Sequence, residues 1–221
     1  GRALDRTPLG HGVSMGVHES QSRFWELFVG MSLPFWRGVW HEVREAFGGD
    51  PGGVTAERYV QSLERVAPTL IRVDSDPVSY PLHIVLRFEL ETALLGGDLA
   101  IADLPAAWND GMRDLLGVVP PDDRTGCLQD IHWGGAVFGY FPTYALGTIL
   151  AAQLWEVAQG ELGDVDALLE AGDVEPLRDW LREKVHRHGR RMDPGELIVS
   201  ATGRGLDPEP YLAFARSHAE Y

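Results

Sequence analysis

Apolar residues recur at intervals of three and four along most of the chain, the spacing that lines up one face of a helix. The clearest run is Phe35, Trp36, Val39, Trp40, Val43 and Phe47, which predicts a helix with one buried face, ended by Gly48 and Gly49. Thr55 stands where an N-cap is needed for the next helix, whose apolar positions are Val60, Leu63 and Val66. Pro68 stops that pattern ahead of a short β-branched stretch around Ile71 and Val73. Helical spacing resumes from Tyr80 to Leu95. Asp103 with Pro105 then opens a segment that runs to Leu116 and closes at Gly117, Pro120 and Pro121.

From Pro120 to Gly139 the chain is rich in Gly, Asp and Pro with aromatic residues between them, which predicts an ordered loop or a short hairpin. Loops of that length inside compact domains are usually functional. Pro142 to Gln159 reads as a helix. Three more follow, each announced by an acidic cap: Asp173 before a segment ending at Gly189, Asp193-Pro194-Gly195-Glu196 in capping-box form, and Asp207-Pro208 before the last. The expected fold is mainly α, with at most a small β element, in a single unit over residues 1–221 without a linker.

Composition narrows what such a body does. Hydrophobic residues make up 44% of the chain, enough to bury a substantial core. The formal net charge of -14 repels phosphate backbones and anionic lipid, so neither nucleic acid nor a membrane surface is an expected partner. No apolar run reaches the length that spans a bilayer, and no basic segment followed by an apolar one marks the N-terminus. Cys127 is the single cysteine and has no internal partner, which fits a reducing, cytoplasmic setting. The chain opens at Gly1 and runs into Arg2-Ala3-Leu4-Asp5 without a start signal for any element, as if cut from something longer.

Zincin-type metallopeptidases carry two histidines at i and i+4 of one helix with a Glu between them as general base. His18-Glu19 is followed at the required position by Ser22, and His41-Glu42 by Glu45, so neither completes His-Glu-x-x-His. Five longer strings nevertheless stand out. They are His18-Glu19-Ser20-Gln21-Ser22-Arg23 with Trp25-Glu26, Ile71-Arg72-Val73-Asp74-Ser75-Asp76, Gly126-Cys127-Leu128-Gln129-Asp130-Ile131-His132-Trp133, Phe138-Gly139-Tyr140-Phe141-Pro142-Thr143-Tyr144 and His186-Arg187-His188-Gly189-Arg190. In that order the chain resembles the C-terminal part of the M32 (thermostable carboxypeptidase) family of zinc metallocarboxypeptidases. The second string departs from the family's Ile-Arg-x-x-Ala-Asp in having Ser75.

The resemblance implies a helical, zincin-like body whose His-Glu-x-x-His helix precedes the part seen in this chain. It implies Glu19 as the third ligand of a Zn2+ ion, with Co2+ as a further candidate, in a site that this chain alone leaves incomplete and inactive. It also implies peptide C-termini as substrate, the missing N-terminal part of the same protein as partner, and a homodimer. Arg72 would lie in the substrate groove, where a guanidinium fork suits a terminal carboxylate, with Gln129 lining it. The plain alternative for Arg72 is a pair with Asp74 or Asp76. His132 is a donor to substrate or to the developing oxyanion, or else a satisfied core histidine. Tyr140 or Tyr144 would aim a phenol at the tetrahedral intermediate, the choice being open, and Tyr80 and His83 would border the groove. For His186 and His188, near a helix end, a structural role is expected, and for His41 and Glu45 a surface ion pair. The contrasting function is a stand-alone, non-catalytic remnant that binds peptide or protein.

Overall fold

The computed structural model describes residues 4–50 and 52–219, and Gly1, whose position suggested a cut, lies outside them. Among the described residues there are helices and turns but no strand. These residues group into two compact units, one of 4–64 with 146–216 and the other of 65–145 with 217–219. The sequence carries no linker between them because the divisions fall just after a helix, at Glu64, and inside another, between Ala145 and Leu146.

The first unit begins with α1 (Met15–Arg23), capped by Ser14, whose side chain accepts from the Val17 amide. It runs on into a π-helical segment, Phe24–Val29. Then come α2 (Leu33–Ala46) and α3 (Ala56–Leu63), the latter capped by Thr55 as its sequence predicts. α6 (Pro142–Leu162) belongs to this unit from Leu146 onward and is buried over most of Gly147–Leu154, with Glu156, Gln159 and Glu161 exposed toward its end. The remainder is α7 (Val165–Glu170), α8 (Glu175–Lys184), α9 (Pro194–Thr202) and α10 (Glu209–Ala219) as far as Arg216. Phe24, Leu27, Phe28, Leu150, Leu154, Leu169, Leu177 and Leu181 form its core. The Phe28 ring stacks on Trp155 with centroids 5.7 Å apart.

The α2 stripe is only half-buried. Trp36 and Trp40 pack on Tyr59 of α3, with Trp36 4.4 Å from its ring centroid, while Phe47 lies beyond the last helical residue and is 74% exposed. The expectation of a fully buried face therefore fails at this end. α9 carries the predicted capping box, Asp193 with Glu196. His186–His188 form a 3-10 turn beyond α8, which ends at Lys184 and does not run on to Gly189 as expected. The His186 Nε2 lies 2.8 Å from the Gln21 side-chain oxygen and the His188 Nε2 3.1 Å from the Glu183 carbonyl. His41 pairs with Glu42 at 3.8 Å, not with Glu45.

The second unit is built on α4 (Tyr80–Gly96) and α5 (Leu104–Leu116). They close on a core of Leu86, Leu90, Trp108, Met112, Leu116 and Cys127. Gly111 lets α5 approach α4 so tightly that a Cβ there would clash with Leu86 Cδ1. The β-branched stretch expected around Ile71 and Val73 is a 3-10 turn, Arg72–Asp74, since so short a run finds no partner strand for its amides. The region 120–139 forms no hairpin. It is a chain of turns with one 3-10 turn, Trp133–Gly135. No described helix is long and apolar enough to cross a membrane.

Candidate functional site

The polar residues flagged by the sequence fall into one set in each unit. In the first unit Glu19 sits on α1, half-buried, with its carboxylate accepting from the Ser22 hydroxyl at 3.0 Å. Its helix can approach α6 closely because of Gly147, where a Cβ would come within 2.6 Å of Glu19 Cγ. The fifth string supports the same region from below. Arg190 donates from its amide to the Leu9 carbonyl at 2.9 Å and from Nε to the Gly12 carbonyl at 2.8 Å, which secures the segment leading into α1. Among the described residues no group of three or more His, Cys, Asp or Glu is arranged to hold a metal ion. Glu19 therefore belongs to no such group among the described residues.

In the second unit three of the strings converge on one buried network. Arg72 is 7% exposed. Its Nε and Nη2 donate to Asp130 Oδ1 at 3.1 and 2.7 Å, and its Nη1 donates to the Tyr80 hydroxyl at 3.0 Å. Arg87 on α4 is fully buried and donates to Asp130 Oδ2 at 2.6 Å, to Gln129 Oε1 at 2.9 Å and to the His83 carbonyl at 2.9 Å. One carboxylate therefore holds two guanidinium groups. Arg87 also stacks over Trp108, 4.6 Å from the ring centroid.

Burial and the partners set the charge states. Burial penalises the Asp130 carboxylate, but Arg72 and Arg87 outweigh it and hold its pKa below the ordinary range. Burial likewise opposes the Arg72 charge, and Asp130 more than restores it. For the more deeply enclosed Arg87 burial wins, bringing the pKa down to about 10, still charged at neutral pH. His83 is fully buried, and burial followed by Arg87 and Arg72 brings it down to about 4, so it is neutral.

Arg72 thus pairs with Asp130 and not with Asp74 or Asp76, the plain alternative to its place in a substrate groove. Asp76 instead accepts from the amides of Ala67, Val78 and Ser79 and from the Ser79 hydroxyl, and so fixes the entry to α4. Tyr80 and His83, placed at the groove border by their sequence position, are interior groups of the network. Gln129 accepts from the Arg72 amide and from Arg87 and donates to the carbonyls of Leu70 and Thr125. Those four bonds use the whole capacity of a side-chain amide. Gln129 therefore locks the Arg72 turn to the loop.

His132 lies beside this network. Its Nε2 is 3.0 Å from the Tyr144 hydroxyl, and Phe141 packs against its ring at 4.3 Å. Burial lowers its pKa, with Asp130 opposing and Arg72 and Arg87 assisting. Tyr140 packs ring against ring with Tyr144 at 5.3 Å and with His132 at 5.6 Å, without a hydrogen bond to the imidazole. Glu91 accepts from Trp133 Nε1 at 2.7 Å and from the Gly139 amide at 2.5 Å, so α4 grips both ends of the aromatic loop.

Asp130, Arg87 and Glu91 are the site residues that the sequence reading missed. A signal for two of them exists. His83, Arg87 and Glu91 recur at every fourth position of a mostly apolar helix, a polar stripe on one of its faces that the structure buries.

The profile of the Carboxypeptidase Taq (M32) metallopeptidase family matches residues 1–219. Thermostable carboxypeptidase 1 of Thermus thermophilus is 46% identical over 208 residues, 94% of this chain and 41% of the relative. Carboxypeptidase 1 of Bacillus subtilis is 43% identical over 205 residues, 93% of this chain and 41% of its own length. The crystal structure of the M32 carboxypeptidase from Deinococcus radiodurans superposes with a TM-score of 0.94 at 44% identity, covering 99% of this chain and 44% of that one. The chain thus spans about two-fifths of the length of the relatives it matches.

Proposed function

The chain belongs to the carboxypeptidase Taq (M32) metallopeptidase family, and on that premise we propose that it forms the C-terminal portion of a metal-dependent carboxypeptidase that releases single residues from peptide C-termini. The observation that carries this reading is the convergence of three distant strings in one polar cluster: Arg72, Gln129 and Asp130 are joined by hydrogen bonds, and the hydrogen-bonded pair of His132 and Tyr144 packs against them. Such a buried polar assembly is costly unless every member is satisfied, so its presence supports a functional site over a bare scaffold.

Glu19 serves in this reading as one ligand of a divalent ion, Zn2+ or Co2+. A catalytic zinc site takes three protein ligands. The donors described in this chain do not by themselves fit such an ion, so the remaining ligands and the general base come from a His-Glu-x-x-His helix supplied by the N-terminal part of the enzyme. This chain's own residues bind and orient. Arg72 has committed three of its five N–H groups, and the remaining two face the terminal carboxylate of a peptide. Gln129 acts in substrate binding through Arg72. Tyr144, held by His132, and its neighbour Tyr140 supply the polar groups toward the carbonyl oxygen as it gains charge. The enzyme works as a homodimer in the cytoplasm, without nucleic-acid or membrane partners.

The test is reconstitution: co-expression with a segment that carries His-Glu-x-x-His, followed by assay of amino-acid release from peptides. Arg72→Ala should lower kcat/KM roughly thirtyfold to a thousandfold, the loss of a charge-assisted pair. Amidating the substrate's C-terminus should weaken the intact assembly by a similar factor and scarcely affect the variant. Additive losses, or no release of amino acids from any folded assembly, would sink the proposal.

A further inference from the structure

The imidazole of His132 is held from both sides, and its two nitrogens face unlike partners. Nε2 meets the Tyr144 hydroxyl at 3.0 Å. Nδ1 is buried, makes no hydrogen bond, and lies 3.8 Å from Asp130 Oδ1. That separation is too long for a hydrogen bond but short enough for charge to decide which way the ring is protonated. A lone pair on Nδ1 would confront a carboxylate, whereas an N–H would point its positive end toward it. Imidazole in water has a slight preference for the opposite form, with the proton on Nε2. The other groups around the ring do not supply this bias. Glu91 on α4 is engaged by Trp133 and the Gly139 amide, Arg72 and Arg87 are bound to Asp130, and Tyr140 contributes a ring contact.

We propose that Asp130 is a positioning residue that holds His132 as its Nδ1–H tautomer, so that Nε2 accepts the Tyr144 hydroxyl proton while His132 is neutral. When His132 takes up a proton both nitrogens become donors. The bond to Tyr144 then reverses, Nε2–H donates to the phenol oxygen, and the Tyr144 hydroxyl proton turns away from the ring. His132 is in this way a switch on the direction in which Tyr144 donates. The proposal deepens the functional reading above and rests on it for the claim that Tyr144 addresses a substrate carbonyl. The assignment of Asp130 as the tautomer-setting group stands on the chain alone.

The experiment is two-bond 1H–15N NMR of the imidazoles in the 221-residue chain labelled at histidine, for the wild type and for Tyr144→Phe and Asp130→Asn. The expected wild-type spectrum at neutral pH gives His132 a pyrrole-like Nδ1 and a pyridine-like Nε2. Tyr144→Phe should keep that pattern and Asp130→Asn should shift it toward Nε2–H. A wild-type His132 with its proton on Nε2 would overturn the proposal, as would a folded Asp130→Asn protein with an unchanged tautomer. Should Asp130→Asn not fold, the other two spectra still decide, because a tautomer that follows Tyr144→Phe is set by Tyr144 and not by Asp130. An inactive reconstituted enzyme whose His132 carries the proton on Nδ1 would instead count against the functional reading and leave this assignment standing.

Discussion

The two units bury different things. The interior of the first is hydrocarbon: Phe24, Leu154, Leu169, Leu177 and Leu181 are each fully enclosed. Its buried polar groups are fewer: Gln153 bonds Thr202 and the Gly205 carbonyl, and a single buried arginine among the described residues, Arg23, donates to Thr148 and to the exposed Glu26. The second unit has a smaller apolar core and, beside it, Arg72, Arg87 and Asp130 joined by hydrogen bonds, with His83, His132 and Glu91 nearby. Burying ions is an inefficient way to stabilise a fold, since the desolvation penalty offsets much of the attraction. A unit that does so is holding groups in place for something other than stability.

The contrast can be broken most sharply at Asp130. Asp130→Ala strands two buried guanidinium groups and should destabilise the second unit by about 3 to 5 kcal/mol, read as a shift of the urea midpoint. In the first unit Leu177→Ala removes only packing and should cost about 2 to 5 kcal/mol. Unlike Asp130→Ala, it should leave the His132 tautomer untouched.

A third difference appears with pH. His83 has its folded pKa depressed from 6.5 to about 4. Between those values the unfolded chain binds a proton that the folded chain does not, so stability is fully present above pH 6.5 and falls as the pH drops to 4. The loss is about 3 kcal/mol at about 1.4 kcal/mol per pH unit. His83→Leu should flatten that part of the stability curve, and an unchanged slope would show that the proton is taken up elsewhere. Smallest of all, Ser14→Ala at the start of α1 should cost about 1 kcal/mol, seen as a small loss of melting temperature with no change in the second unit's pH response.

Local patterns were readable in advance and distant partners were not. The helices α4, α5 and α9 could be placed from periodicity and caps, because Pro105, Gly117 and the Asp193–Glu196 box act within a few residues of themselves. α7 is six residues long, too short to show a period, and the π-helical turns of Phe24–Val29 change hydrogen-bond spacing without changing composition. Family strings flagged Arg72, Gln129, His132 and Tyr144. The partner of Arg72 stands 58 positions away, and the nearby Asp76 that looked suited to it is occupied by backbone amides. Proximity in sequence offered Asp74 and Asp76 as the plain alternative because it carries no information on which amides a turn leaves unpaired.

Glu19 is proposed as a single metal donor that needs companions from elsewhere. Metal analysis of the purified chain after equilibration with zinc and removal of excess ion addresses that directly. The expected result is well below one tightly held Zn2+ per chain alone and one per assembly once a His-Glu-x-x-His segment is joined to it, with Glu19→Gln lowering the second figure. One tightly held Zn2+ per isolated chain would contradict the account and make ligands of the histidines to which a structural role is given.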